Sequence, residues 1–294
     1  MTPGGRFLYL RIAVGVLAVS FGAILVRLAG EAPSLTIAAW RLAAAALLLV
    51  PTAVVRRGKT LSPQTLLWST LSGAALSLHF ILWIASLEQT SVASSTLLVS
   101  LHPIFVGLGS HLFLKERISP FLLLGILLAL VGGGMIGFGD LAAGGSGLQG
   151  DLLAGGGGLM AAVYFLIGRH VRRSVSAIEY IATSYGTAAV LTVVAAYATR
   201  TPLGGFSLPT YGYLVLLALI PQLIGHSTFN WALKHLSASK ISVLVLGEPI
   251  GAAVLAYWIF NESLTGLNLA GAGVILVGIY LSLRSKEDVD VRER

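Results

Sequence analysis

Long apolar runs separated by short polar connections set the pattern of this chain. A helix needs roughly 20 apolar residues to cross a hydrocarbon core of about 30 Å. Runs of that length fall at about 8–28, 34–54, 65–87, 92–114, 119–139, 150–169, 177–198, 210–232, 238–259 and 265–283. They predict an all-α integral membrane protein with ten transmembrane helices. The first run follows Arg6, is longer than a signal-peptide core and lacks a convincing cleavage site, so it is expected to stay as a span. The longest connections, 140–149 and 199–209, are rich in turn-forming residues and too short for a soluble domain.

The pattern occurs twice. Thr90–Ser119 and Leu236–Thr265 each begin with a Ser-rich polar stretch, run on through apolar residues interrupted by a proline, and close on a glutamate. Pro103 and Pro249, Glu116 and Glu262, and Ser119 and Thr265 all stand 146 residues apart. The expected units are therefore two five-helix repeats, 1–146 and 147–294. Five is odd, so the second repeat must insert upside down relative to the first. Inverted repeats of this kind mark transporters, with a central cavity near the midplane where the halves meet.

Composition agrees with the pattern. At 56% hydrophobic and 11% charged residues, with mean hydropathy +0.87, a soluble globular domain is excluded. Cysteine is absent, which removes disulfide and thiolate chemistry. The net charge of +7 is of the sign that nucleic acid attracts, but its placement argues otherwise. Arg6, Arg56, Arg57, Lys59, Lys115, Arg117, Arg169, Arg172, Arg173, Lys234, Lys240, Arg284, Lys286, Arg292 and Arg294 lie at the N-terminus, in the even-numbered connections and in the C-terminal tail. Arg200 alone sits in an odd-numbered connection. This is the positive-inside signal; it predicts two cytoplasmic termini and no nucleic-acid partner.

Arg41-Leu42, the closing Lys115-Glu116-Arg117-Ile118-Ser119 of the first copy and Leu246-Gly247-Glu248-Pro249 of the second occur in this order across the ten spans. In these features the chain resembles the EamA-type branch of the drug/metabolite transporter superfamily over nearly its whole length. Within that branch it looks most like bacterial inner-membrane exporters of aromatic and other amino acids. The resemblance implies a basket of helices around a central cavity, alternating access, and a multi-pass place in the bacterial inner membrane. The first copy has His102-Pro103 where the second has Glu248-Pro249, so a role for the Glu-Pro pair falls to Glu248 alone.

Polar side chains inside spans are costly and so are functional candidates. Ser72, His79, Trp83 and Ser86 share one face of the third span; Gln222, His226 and Asn230 form a stripe on the eighth, beside Trp231. His226 follows His79 by 147 residues, one more than the repeat offset. Ser100, His102, Ser242 and Glu248 lie near the two prolines, Tyr164 is mid-depth in the sixth span, and Ser20 is mid-depth in the first. The expected substrate-binding set is His79, Trp83, Ser100, His102, Tyr164, His226, Asn230, Trp231 and Glu248, with Pro103 and Pro249 as hinges. A membrane histidine can also simply bond a neighbouring helix. Glu248 has two readings that stay open: a proton carrier or ammonium partner, and a structural pair with Arg41 or Lys240.

A phosphorylated substrate would want deep Lys or Arg. The deepest basic side chain is Arg41, about seven residues into its span. Histidine, asparagine, serine, tyrosine and tryptophan suit a small zwitterion such as an amino acid, with lipophilic cations or drugs as the rival substrates. An intramembrane enzyme is a further alternative, but no HExxH, Walker loop or GxGxxG is present, and Gly144–Leu148 fails G-x-S-x-G at its last position. No catalytic residue, cofactor or metal site is expected. The partners are a small-molecule substrate and membrane lipid, and one chain already holds both halves of a pathway, so a monomer suffices.

Overall fold

A computed structural model describes residues 3–55, 61–89, 95, 98–141, 147–261 and 266–284. The basic residues Arg56, Arg57, Lys59, Lys286, Arg292 and Arg294, the repeat landmarks Glu262 and Thr265, and the 142–146 stretch lie outside the described residues. The helices are α1 Pro3–Leu28, α2 Ser34–Val55, α3 Pro63–Ser86, α4 His102–Phe113, α5 Pro120–Leu141, α6 Leu148–Arg172 and α7 Ala177–Ala198. They continue with α8 Leu208–Ala232, α9 Ala238–Val245, α10 Glu248–Phe260 and α11 Gly266–Arg284.

Eight stretches among the described residues are helical, long and apolar enough to cross a membrane, with α9 and α10 taken together as one of them. The expected fourth and fifth spans fall on α4, a helix of 12 residues, and on α5, an apolar helix of 22 residues. Serines start several helices. Ser62 and Ser237 accept hydrogen bonds from the backbone N–H groups of Thr65 and Lys240. Ser176 and Glu179 close a reciprocal capping box at the start of α7.

The ninth run is one apolar stretch in sequence and two helices in space. Leu246 and Gly247 separate α9 from α10, and Pro249 takes the second position of α10. Pro103 takes the second position of α4 in the same way. A proline there gives up no helical hydrogen bond, because the first N–H groups of a helix have no intrahelical partner. Both helices also end on left-handed residues, Lys115 after α4 and Asn261 after α10, each with φ 55°. Lys115 turns the chain so that the Glu116 N–H returns to the Ser110 carbonyl at 3.1 Å.

Packing pairs α5 with α11, α3 with α6 and α7, α2 with α7 and α8, α1 with α8 and α10, and α4 with α6 and α9. Glycine sets the closest approaches. A Cβ on Gly132 would stand 2.5 Å from the Gly271 carbonyl of α11, and one on Gly158 would stand 2.9 Å from the Val99 carbonyl. Gly133, Gly155 and Gly273, members of the same sequence clusters, have nothing within 4 Å of such a Cβ.

α8 departs from the α-helix. Ala218–His226 is wound as a π-helix with Pro221 inside it. Its hydrogen bonds span one residue more than α-helical ones, so its side chains advance by a smaller angle per residue. Its sequence counterpart, α3, is α-helical throughout.

Candidate functional site

A cavity lies between the two halves of the chain. Its empty volume is about 700 Å³, open mouth and adjoining solvent included. α3 contributes His79, Phe80 and Trp83; Ser100 and His102 come from the start of α4; Ala161 and Phe165 come from α6. His226 and Phe229 on α8, Glu248 and Pro249 on α10, Val19 on α1 and Arg41 on α2 complete most of the wall.

The histidines are held in defined orientations. His79 Nδ1 lies 2.9 Å from the Gly157 carbonyl and His102 Nδ1 lies 3.1 Å from the Val99 carbonyl. A carbonyl only accepts, so each Nδ1 carries the proton. The His79 ring lies parallel to Trp83, with centroids 6.1 Å apart, and His226 meets the edge of Phe80 at 5.4 Å. The Nδ1 atom of His226 is buried and has no hydrogen-bond partner.

Arg41 is the cation of this wall. Only 2% of its surface is exposed. Its Nε donates to Gln222 Oε1 at 2.8 Å, and its guanidinium lies 4.1 Å from the centre of the Phe80 ring. That bond fixes the amide orientation of Gln222 and leaves Gln222 Nε2 buried without a partner. Glu248 faces the same space. A Cβ built on Gly22 of α1 would stand 3.9 Å from both Arg41 Nη1 and Glu248 Oε1.

These opposed charges, the aromatic wall and the membrane-length helices call for a comparison with known proteins. The family model described as the EamA-like transporter family matches residues 6–138 and 148–284. The chain belongs to the EamA-like transporter family. An uncharacterized transporter of Archaeoglobus fulgidus is 28% identical over 196 residues, covering 65% of this chain and 68% of the relative. A WAT1-related chloroplastic protein of Arabidopsis thaliana is 27% identical over 257 residues, covering 83% of this chain and 61% of the relative. A solved crystal structure superposes with TM-score 0.79 over 94% of this chain and 96% of its own, and its 18% identity makes this a likeness of fold alone. This EamA-like transporter is thus a multi-pass membrane protein that carries small molecules.

Not every residue singled out in the sequence reaches its cavity. His79, Trp83, Ser100, His102, His226, Glu248 and Pro249 line it. Tyr164 and Asn230 form a separate buried layer: Asn230 Nδ2 donates to the Tyr164 hydroxyl at 2.5 Å and to the His226 carbonyl at 2.7 Å. Tyr180 stacks against Tyr164 with ring centroids 6.5 Å apart and is hydrogen-bonded to Ser72, while the Tyr185 hydroxyl donates to the Gln222 carbonyl. Trp231 lies beneath the Arg11 guanidinium, 4.0 Å from it, and beside His235. The stripe of Gln222, His226 and Asn230 assumes a uniform α-helical turn, and the π-helical stretch changes that register. Pro103 sits behind His102 at the start of α4 and is not part of the cavity lining. Ser86 is spent on the Trp83 carbonyl and Ser95. Among the described residues no group of three or more metal-ligand side chains occurs.

Sequence reasoning left Arg41 out of the binding set, naming it only as a partner for Glu248, and missed Phe80, Phe165 and Phe229. The signal for Arg41 was available: an arginine inside a span must find compensation, which marks it as functional as strongly as the histidines.

One end of the bundle is closed by arginines from the last turn of α6. Arg169 Nε donates to Glu116 at 2.7 Å, and its Nη1 donates to the Leu233 carbonyl at 2.6 Å. Arg173 reaches the same Glu116 oxygen at 3.0 Å. Arg172 donates to the Asn230 carbonyl at 3.0 Å and to that of Val175. Unpaired carbonyls at the C-terminal end of α8 are thereby capped by positive charge. At the opposite end the Glu31 carboxylate accepts hydrogen bonds from the Ser207 N–H and hydroxyl and from Thr210. These bonds hold Glu31 below its ordinary carboxylate range, with Thr210 the largest contributor.

Proposed function

We propose that this transporter exports amino acids, aromatic and other neutral ones, by alternating access through its central cavity. The supporting observation is the cavity wall itself, where one arginine and one glutamate sit among histidine and aromatic rings. An amino acid carries both charges, and its side chain needs an apolar surface. The architecture of this proposal is ten spans in two inverted repeats, 1–146 and 147–294, in a bacterial inner membrane with both termini cytoplasmic. Several pairs agree with the inversion: Pro103 with Pro249 at helix starts, Lys115 with Asn261 at helix ends, and the packing of α3 on α6 with that of α8 on α1. In that frame the Arg169 end is cytoplasmic, and Pro103 and Pro249 stand at the hinges.

The remaining candidates of the binding set, Tyr164, Asn230 and Trp231, would act from behind the wall. Efflux of lipophilic cations is the second reading, favoured by the rings of Phe80, Trp83 and Phe229 beside Glu248. The test is uptake of labelled phenylalanine by proteoliposomes holding the purified protein, with and without a pH gradient. Saturable uptake competed by other neutral amino acids is expected. Uptake no faster than into empty vesicles, with lipophilic cations carried instead, would replace the first reading by the second.

A further inference from the structure

We infer that Arg41 and Glu248 are the two poles of a zwitterion site, Arg41 taking the carboxylate of the substrate and Glu248 its ammonium. The inference rests on the amino-acid reading above and adds the residues that enforce it. It also says which molecules the cavity refuses.

Arg41 is presented as a receptor for an anion. Its Nε is occupied by Gln222 and one face of its guanidinium is covered by Phe80. The described residues make no hydrogen bond to its two Nη groups, whose paired N–H donors match the spacing of a carboxylate's two oxygens. Gln222 fixes the direction of the fork, as a second layer of hydrogen bonding should. Two further polar atoms at this place, Gln222 Nε2 and His226 Nδ1, are buried with no hydrogen-bond partner among the described residues. Such atoms are rare in folded proteins and call for a ligand or ordered water.

Glu248 is presented beside it. It is the one acidic side chain of the wall, and the described residues donate no hydrogen bond to its carboxyl group. Both side chains border the same strip of α1, where Gly22 contributes no side chain. An α-amino acid carries its carboxylate and ammonium on one carbon, so the groups that receive them must be neighbours, and here they are.

Charge balance supplies the selectivity. With Glu248 ionised, the empty site holds one positive and one negative group and is neutral overall. A zwitterion leaves it neutral while satisfying both poles. A lipophilic cation leaves one positive charge uncompensated inside the membrane, and a monocarboxylate leaves one negative charge. Buried uncompensated charge is heavily penalised in a medium of low dielectric.

The test uses the full chain in proteoliposomes with labelled phenylalanine as substrate, and 2-phenylethylamine and 3-phenylpropanoate as unlabelled competitors. These molecules lack the carboxylate and the ammonium, respectively. In the wild type each should compete at least about tenfold more weakly than phenylalanine, the least a lost charged hydrogen bond is worth. Arg41→Gln should lose discrimination against the amine while keeping it against the carboxylate. Glu248→Gln should do the reverse, and Arg41→Lys should retain the wild-type order. Wild-type uptake competed equally by all three molecules would overturn the inference, and that measurement needs no variant to fold. Unchanged selectivity in well-folded Arg41→Gln would overturn it as well. Absence of phenylalanine uptake by the wild type would instead strike the amino-acid reading beneath it.

Discussion

Glu116→Gln should open the Arg169 end of the bundle. The carboxylate receives Arg169 at 2.7 Å and Arg173 at 3.0 Å, and the Arg169 and Glu116 side chains keep 10% and 15% of their exposure. Breaking a buried ion pair by removing one partner costs about 3–5 kcal/mol. The pair is not fully buried, and Arg173 is half-exposed and worth at most about 1 kcal/mol. The lower end of the range, about 3 kcal/mol, is therefore appropriate. If these contacts exist only while this end is closed, the loss moves the closed–open equilibrium about 100-fold toward open. The chain has no cysteine, so a single Ala232→Cys, fully buried beneath Leu233, reports opening without background. Its rate of reaction with a charged maleimide should rise by about one to two orders of magnitude when Glu116→Gln is added. A lower melting temperature with an unchanged labelling rate would refute the gate: Glu116 would then stabilise every state of the protein equally.

Four further outcomes follow from packing and hydrogen bonding. Gly132→Val should destabilise by about 1–3 kcal/mol or more, because its Cβ would meet the Gly271 carbonyl at 2.5 Å and backbone cannot yield as a side chain does. Gly133→Ala, with nothing within 4 Å, should leave the melting temperature unchanged. Glu31→Gln should flatten the acid limb of thermal stability. The folded-state pKa of Glu31 is depressed, so its contribution is complete above the ordinary value of 4.5 and is lost as pH falls through the folded value. Equal loss of stability on acidification in wild type and variant would show that the Ser207 and Thr210 contacts contribute nothing. Tyr164→Phe should cost about 1 kcal/mol of stability through its bond to Asn230, without changing competition by phenylalanine. A changed competition constant would return Tyr164 to the substrate.

Eight membrane-length helices and the break in the ninth run were legible because both depend on local composition. Apolar length gives the first, and Pro249 with Gly247 gives the second. His79, Trp83, His102 and Glu248 were legible as polar or amphipathic groups in an apolar context, and they meet in one cavity. What escaped was set by neighbours distant in sequence. Arg169 and Glu116 lie 53 residues apart, and Arg41 and Gln222 lie 181 apart. No periodicity connects such pairs. Asn230 keeps α-helical register with His226 and spends its amide on the His226 carbonyl and the Tyr164 hydroxyl, whereas the spacing of Gln222 to His226 falls inside a π-helical stretch that a uniform helical turn cannot anticipate. One trace of that stretch was visible, since His226 falls one residue beyond the repeat offset from His79.

That slacker winding means the two halves are not equivalent in energy. α3 is regular throughout, whereas α8 carries nine residues of π-helix beside the cavity. In a carrier whose halves exchange roles, the two facing states then differ in resting population. The apparent affinity at each face is reduced by the fraction of molecules not presenting the site there. Without an energy source such a carrier cannot change the final concentration ratio across the membrane. It can fill at low concentration on one side and only at high concentration on the other, with maximal rates that differ in compensation. Half-saturation measured in oppositely oriented vesicles would therefore be unequal, and the inequality would record the helix's one irregularity as a property of flux.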